Sequence, residues 1–374
     1  MGWNNVIGQI RVKSLLQRSL EKNEIAHDYL FYGENGVGKE ATAIEFAKVL
    51  NCERKGSKAC DECISCKKVS ILQHPDIKLI FALPVGKSEN ETDGAYDKLS
   101  PDQIKSIYEE LNKKVNDLYY DIAVPRASVI KINSIRDIIR ETALAPYEGF
   151  RKCFIILKAD DMRAEASNAL LKTLEEPPAD SVFILTAVQK EKLPETILSR
   201  CQIIHFEPLS ESEIQKALVE RGSVSKSKAE VLAKLARGSY WDAHTLIDED
   251  IEGKFLEVAN YLRNAIGGKQ NSNYGIIENI TTNKERREVQ IWLEILQLWL
   301  RDALILQKGM NVNFVSEKHQ IDLKNFCLRI PRANLIDAVQ CVDKCIQMID
   351  QYIYPTLLLI GLSIELKKYF PIQS

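Results

Sequence analysis

The first part of the chain, up to about residue 206, alternates short apolar runs with segments that have helical periodicity. Strands buried on both faces read as continuous apolar runs. Five such runs occur, at residues 29–32, 77–81, 153–157, 182–186 and 203–206. Strands that alternate with helices in this way form a parallel sheet covered on both faces. The pattern therefore predicts an α/β domain over residues 1–207.

A polar stretch at residues 84–125 separates the second predicted strand from the third. It is rich in Lys, Glu, Asp and Asn, and residues 101–115 within it have the pattern of a helix. Loops this long are uncommon inside compact domains. We therefore expect this stretch to be an insertion in the sheet domain.

After Pro208 the pattern becomes wholly helical. Three short helices are predicted over residues 208–250, at 210–221, 225–236 and 240–247. Longer amphipathic helices follow, at 289–306, 335–349 and 355–370. Their apolar stripes predict a separate, all-α domain over residues 251–374.

Composition limits the classes of function. The 374 residues are 45% hydrophobic and 27% charged, which is enough to build the cores of two or three domains. With 50 basic against 52 acidic residues, the net charge is only -2, so any contact with DNA requires a local patch. The chain has no apolar run that could span a bilayer and no signal-peptide pattern in its first residues, so we expect no membrane association and a cytoplasmic location.

Four of the nine cysteines are closely spaced, at Cys52, Cys60, Cys63 and Cys66. Four thiolates can close a tetrahedral shell around zinc, and the two-residue gaps let successive cysteines turn back onto one ion. Such a shell has no open position for water, so the zinc is expected to be structural. A redox switch and an iron–sulfur cluster are the alternatives.

A phosphate-loop pattern stands between the first predicted strand and the helix after it. Its glycines Gly33, Gly36 and Gly38 would let backbone amides surround phosphates, and Lys39 would neutralise their charge. The next residue is Glu40, where the pattern has a Ser or Thr hydroxyl for magnesium. The carboxylate predicts weak or absent ATP binding. Alternatively, the glycines are needed only by the strand-to-helix turn.

The strand at 153–157 ends at Leu157-Lys158, where an active NTPase of this layout places an acidic pair. Asp160 and Asp161 follow within the turn, where aspartates cap free amides. A shift that made them metal ligands would bury Lys158 in the sheet. The sequence thus predicts a site that does not hydrolyse ATP.

Arg200 follows a short helix and precedes the last strand, close to the edge of the domain. An arginine there is often a surface charge only. Its planar donors can also stabilise the charge on a phosphoryl group transferred in an adjacent subunit. Spacing alone leaves both interpretations open.

Taken together, these segments resemble the clamp-loader subunits of bacterial DNA polymerase III, an AAA+ family, and among them the delta prime type. The resemblance covers most of residues 1–250. Besides the phosphate loop and the cysteines, it rests on Val6-Ile7-Gly8-Gln9, the run 26–31, His74-Pro75-Asp76, the run Leu-Leu-Lys-Thr-Leu-Glu-Glu-Pro-Pro at 170–178 and Leu198-Ser199-Arg200-Cys201. The resemblance implies an AAA+-like sheet domain, a helical lid over 208–250 and a helical collar over 251–374.

Departures from the motor subunits of that family indicate which member the chain resembles. A gamma/tau-type ATPase should have Ser or Thr at position 40, acids at 157 and 158 and an arginine where Trp241 stands. The resemblance therefore implies a non-hydrolysing member of a five-subunit ring with gamma/tau and delta subunits. In that ring Arg200 would complete a neighbour's site while the ring loads a sliding clamp on primed DNA.

Two other functions stay open. One is an active clamp-loader ATPase with unusual ligands, and the other is a zinc-containing protein that binds DNA by itself. ATP turnover would identify the first, and tight, salt-dependent DNA binding would identify the second.

Overall fold

The structure is a computed structural model that describes residues 3–90, 92–178, 180–222, 224–267, 270–282, 286–312, 317–349 and 354–371. The side chains of 270–272 are outside that description. The chain divides into two compact units. The first contains residues 1–222 and 236–244, and the second contains 223–235 and 245–374.

A parallel sheet forms the centre of the first unit. The described residues contribute five strands, in the order β2-β3-β4-β1-β5. They are β1 (Asp28–Tyr32), β2 (Ile77–Ile80), β3 (Lys152–Ile156), β4 (Ser181–Ala187) and β5 (Gln202–His205). Each lies within one residue of its predicted bounds, because continuous apolar runs in this sheet are buried on both faces.

Helices cover both faces of this sheet. They are α1 (Ile10–Lys22), α2 (Lys39–Leu50), α3 (Ile64–Ser70), α4 (Pro101–Asn116), α5 (Ile132–Thr142), α6 (Ala164–Glu175) and α7 (Glu195–Leu198). Helix α8 (Glu211–Gly222) also belongs to the first unit. Alternate strand residues point to opposite sides. Phe31 packs in the core with α1 and α2, whereas Leu30 packs in the core with α5 and α6. The predicted α/β, AAA+-like fold class is confirmed.

The polar stretch at 84–125 packs into the first unit. Helix α4 begins with a capping box formed by Ser100 and Gln103. Leu99, Ile107 and Val124 are buried in the core beneath α1 and α2. The stretch therefore adds to the core of the sheet domain, although its composition alone suggested only an insertion.

The remaining helices are α9 (Lys226–Leu235), α10 (Tyr240–Thr245), α11 (Ile251–Ile266), α12 (Gln270–Thr281), α13 (Arg286–Gln307), α14 (Glu317–Arg329), α15 (Leu335–Ile349) and α16 (Pro355–Tyr369). In the second unit, Leu296 and Trp299 of α13 are fully buried, and α13 packs against α15. The predicted all-α character of the C-terminal region is confirmed. Helix α8 belongs to the first unit and α9 to the second, so the division at 207 and 250 stays a prediction.

No helix among the described residues combines the length and the apolar character that a membrane-spanning helix needs.

Candidate functional site

The phosphate loop connects the end of β1 to the start of α2. Gly33, Gly36 and Gly38 all have positive φ angles, of 149°, 71° and 103°. A Cβ atom on Gly36 would lie 2.1 Å from the Ser239 hydroxyl, and one on Gly38 would lie 2.7 Å from the Tyr119 hydroxyl. Contacts within this chain are therefore enough to require glycine at these positions.

Lys39 folds back onto the loop instead of pointing into an open site. Its ammonium donates hydrogen bonds to the carbonyl oxygens of Gly33 at 2.7 Å and Glu34 at 2.6 Å. Burial lowers the pKa of Lys39 to about 8, against the opposing charges of Glu40 and Asp160. The cation that the pattern reserves for phosphates is thus engaged by the loop itself.

Glu40 forms an ion pair with Lys114 of α4. The Lys114 ammonium also donates to the carbonyl oxygen of Tyr120 at 2.6 Å, and its side chain is buried. Burial alone would raise the pKa of Glu40, but the charge and hydrogen bond of Lys114 outweigh it and the pKa is lowered. A side-chain ammonium therefore neutralises the carboxylate that replaces the magnesium-binding hydroxyl.

A second ion pair lies at the end of β3. Lys158 is 2.6 Å from the carboxylate of Asp121 and 31% exposed, so it is not buried in the sheet. Residues 159–161 form one turn of 3-10 helix, in which a carboxylate oxygen of Asp160 accepts the amides of Val188 and Gln189. In this arrangement Asp160 acts as a cap for the segment after β4.

The segment around Trp241 closes over the loop. The amide of Tyr240 donates to the carbonyl oxygen of Gly36 at 3.0 Å, and the Trp241 ring lies 5.0 Å from the Tyr120 ring. The cavity between the loop and α4 measures only about 30 Å³. Pockets for drug-sized ligands are about 300 Å³ or larger, so this cavity is about tenfold smaller than such a pocket.

The four clustered cysteines meet in space. Their sulfur atoms all lie within 4.8 Å of one another, and those of Cys60 and Cys66 are 3.9 Å apart. Zinc–sulfur bonds of about 2.3 Å in a tetrahedron place sulfurs about 3.8 Å apart, so this donor set fits zinc. Backbone N–H groups of Glu62 and Cys63 lower the pKa of Cys60 to about 6, whereas burial raises the pKa values of Cys52 and Cys66.

Arg200 lies just beyond α7, where its side chain is 33% exposed. Its guanidinium donates to the Glu175 carboxylate at 2.7 Å and to the Thr196 carbonyl oxygen at 2.7 Å. Glu175 ends α6, within the run 170–178. The same guanidinium also lies 3.4 Å from the Ser199 hydroxyl, so three partners of its own chain hold the arginine at the surface.

Sequence reasoning missed the partners of the two lysine–carboxylate pairs, Lys114 and Asp121. The sequence contained one signal for Lys114. It shares a helix face with Ile107 and Glu110, and all three are buried. A lysine on the inward face of an amphipathic helix needs a carboxylate or carbonyl partner.

Comparisons with known proteins agree with the resemblance described above. The family described as DNA polymerase III, delta subunit, matches residues 8–210. The DNA polymerase III subunit delta' of Bacillus subtilis is 28% identical over 336 residues, which cover 89% of this chain and 88% of that protein.

Proteins named as tau or gamma subunits are also similar. The DNA polymerase III subunit tau of Bacillus subtilis is 27% identical over 369 residues, which cover 91% of this chain but only 57% of that protein. A crystal structure of a DNA polymerase III gamma subunit-related protein from Thermotoga maritima is 14% identical and covers 96% of this chain and 99% of its own. Its TM-score is 0.42.

Proposed function

The chain belongs to the DNA polymerase III delta subunit family, and from this premise we propose that it is a non-hydrolysing clamp-loader subunit of the delta prime type. It acts in the cytoplasm as part of the DNA polymerase III assembly and has no ATPase activity of its own.

The observation that carries this proposal is that Lys39 and Glu40 of the phosphate-loop pattern are bonded to groups of the same chain. Lys39 is bonded to loop carbonyls, and Glu40 is paired with Lys114. Phosphoryl transfer depends on positioning of the phosphates and a metal ion. Here the lysine that would meet the phosphates is hydrogen-bonded to the loop, and the carboxylate at the magnesium position is ion-paired. Both observations weigh against an active ATPase of the gamma/tau kind.

Arg200 is the residue by which the chain takes part in ATP hydrolysis. A guanidinium is always charged and can contact two phosphate oxygens at once. Its partners in this chain, Glu175, Thr196 and Ser199, are at the surface, so it can exchange them for a neighbour's phosphates at small cost. We assign Arg200 the role of an arginine finger acting in trans.

The partners in this proposal are gamma/tau and delta subunits in a five-subunit ring, with the sliding clamp and primed DNA bound through the complex. The helices over 251–374 supply the collar by which subunits assemble. Cys52, Cys60, Cys63 and Cys66 hold a structural zinc ion that folds residues 52–66, since loop folding and metal binding are coupled.

The test is an ATPase assay of the ring assembled with gamma/tau and delta subunits. Arg200→Ala should leave assembly intact while the turnover stimulated by clamp and DNA falls, by on the order of 10³ at the site that Arg200 completes. Arg54→Ala is the matched control, because Arg54 is also exposed and ion-paired, with Glu62. An Arg200→Ala ring that hydrolyses ATP and loads clamps at the unmodified rate would reduce Arg200 to a surface charge.

ATPase activity of the isolated chain is the complementary test. We expect none above background. Turnover that disappears on Lys39→Ala would instead favour the active motor subunit.

A further inference from the structure

Asp76, the last residue of the His74-Pro75-Asp76 motif, holds the loop between α5 and β3. Its side chain is only 3% exposed. One carboxylate oxygen accepts the amide of Tyr147 at 2.6 Å, and the other accepts those of Glu148 at 2.9 Å and Gly149 at 2.7 Å. Burial alone would raise the pKa of Asp76, but these three amides lower it. The buried carboxylate therefore fixes the loop through three backbone hydrogen bonds.

Asn51 holds the next two residues of the same loop. Its side-chain oxygen accepts the amides of Phe150 at 2.9 Å and Arg151 at 3.0 Å. A Cβ atom on Gly149 would lie 2.4 Å from that oxygen, so the loop comes too close for any other residue. Two buried side chains therefore fix five successive amides of one surface loop.

Helix α3, which carries Cys66, is tied to the same anchor. Ser65 donates to the carbonyl oxygen of Asn51 at 2.6 Å, and its hydroxyl lies 3.1 Å from a ring nitrogen of His74. On the surface, Lys68 of α3 is 2.6 Å from the carboxylate of Glu148. The helix and the loop thus form one rigid surface.

That surface exposes large apolar side chains. We define the loop–helix patch as Leu144, Tyr147, Phe150, Ile64 and Ile71, which are 65%, 84%, 45%, 66% and 47% exposed. Ile64 and Lys68 lie on one face of α3, four positions apart, and Ile71 is the C-cap residue directly after this helix. Single exposed apolar residues are ordinary, but clusters on rigid elements mark interaction sites.

We propose that the loop–helix patch docks a partner protein through a segment in which apolar side chains are flanked by acidic residues. The charged residues near the patch are the reason for proposing an acidic partner. Lys55 lies over the Phe150 ring, Lys67 is in α3 and Arg151 follows Phe150 in the chain. Among the described residues, none of these three cations is in an ion pair. The acidic Glu148 is already neutralised by Lys68. Carboxylates of a partner would complement the unpaired cations.

The composition of the patch favours protein over single-stranded nucleic acid. Strand binding uses open aromatic faces on which bases stack, along a basic groove. Three of the five patch residues are aliphatic, and the ammonium of Lys55 already covers the Phe150 ring at 4.8 Å from its centroid. Tyr147 alone offers an open ring in this patch.

The experiment selects binders from a phage-displayed library of random dodecapeptides against the full-length chain, with counterselection against the triple variant Leu144→Ser, Tyr147→Ser, Phe150→Ser. Selected peptides should combine apolar residues with Asp and Glu. Fluorescence polarisation should show at least tenfold weaker binding to Tyr147→Ala. Tyr108→Ala is the matched control, because Tyr108 is 64% exposed on α4, and it should leave binding unchanged.

Three outcomes would overturn the inference. In the first, no selected peptide depends on Tyr147 for binding. In the second, the selected peptides lack acidic residues. In the third, oligothymidylate binds to the wild-type chain and Tyr147→Ala abolishes this binding. The last would make the patch a nucleic-acid site. Because the assay uses the chain alone and leaves Arg200 intact, its result is independent of the proposed role in ATP hydrolysis.

Discussion

The ammonium of Lys114 and the carboxylate of Glu40 form an ion pair inside the cavity of the phosphate loop. The two residues are 74 positions apart in the chain. The pair therefore couples the start of α2 to the far end of α4. It places an ammonium and a carboxylate that neutralise each other next to a loop built like one that binds anions.

Replacing only one member of the pair should destabilise the fold. Glu40→Thr restores the hydroxyl of the phosphate-loop pattern but leaves Lys114 buried without its partner. Removing one partner of a buried pair costs about 3 kcal/mol or more. We expect urea unfolding to show a loss of that order, and the double variant Glu40→Thr, Lys114→Met to recover most of it. Lys113→Met is the control, since Lys113 is exposed and its change should cost less than about 1 kcal/mol. Additive effects of the two single changes would disprove the coupling.

Glu175 should be dispensable for the role of Arg200. The pair is partly exposed, at 33% and 48%, and such pairs contribute at most about 1 kcal/mol. Glu175→Gln should therefore leave the ATPase of the assembled ring within about threefold of wild type. Arg200→Lys should lower it nearly as much as Arg200→Ala, because lysine lacks the planar fork. Full activity of Arg200→Lys would show that charge alone is sufficient.

Zinc should be bound with a stoichiometry of one per chain. Cys63→Ser should remove the metal and lower the stability of the first unit, since the thiolates must converge on the ion. Metal analysis of reduced protein and thermal unfolding measure the two effects. Cys327→Ser should change neither, because Cys327 lies in α14, outside the cluster. An iron–sulfur absorption band would refute the assignment.

Stability should fall as the pH rises from about 4 to about 7, through Asp28. This carboxyl is 5% exposed, one of its oxygens has no hydrogen-bond partner in the described structure, and burial raises its pKa to about 7. The unfolded value is about 3.9, so the native state binds the proton more tightly and the contribution is lost as the group ionises. Asp28→Asn should stabilise the protein at pH 8 relative to wild type, with little effect at pH 4. Urea unfolding at both values measures this, with the exposed Glu211→Gln as control. Equal stabilisation at both pH values would exclude titration as the cause.

The sequence was sufficient to predict the strands and several of the helices, although it placed no helix at α11, α12 or α14. A strand such as residues 153–157 is continuous in apolar residues because its sheet is covered on both faces, and that pattern is local. The convergence of Cys52, Cys60, Cys63 and Cys66 was likewise visible, because metal-binding spacing is local too.

The contacts that close the phosphate loop could not be predicted in the same way. Lys114, Tyr119 and Asp121 come from a stretch whose polar composition suggested only an insertion. These residues contact the phosphate loop and the end of β3 only because segments that are distant in the sequence pack together in the fold. Asp76 is similar, since its bonds to residues 147–149 connect positions about 71 apart. Sequence periodicity identifies which face of an element is buried but not which partner it meets.

Strands β1 and β5 pair in parallel, so their carboxyl ends lie on the same side of the sheet. The phosphate loop follows the carboxyl end of β1, whereas Arg200 precedes the amino end of β5. The two therefore lie at opposite ends of these neighbouring strands. Subunits that present such features to each other must meet head to tail, through two different surfaces. If Arg200 acts in trans, a chain whose own loop is closed can donate at one surface but cannot receive at the other. In a ring that contained this chain, one interface between subunits would then lack an active ATP site. The ring would not be symmetric, because its interfaces would differ.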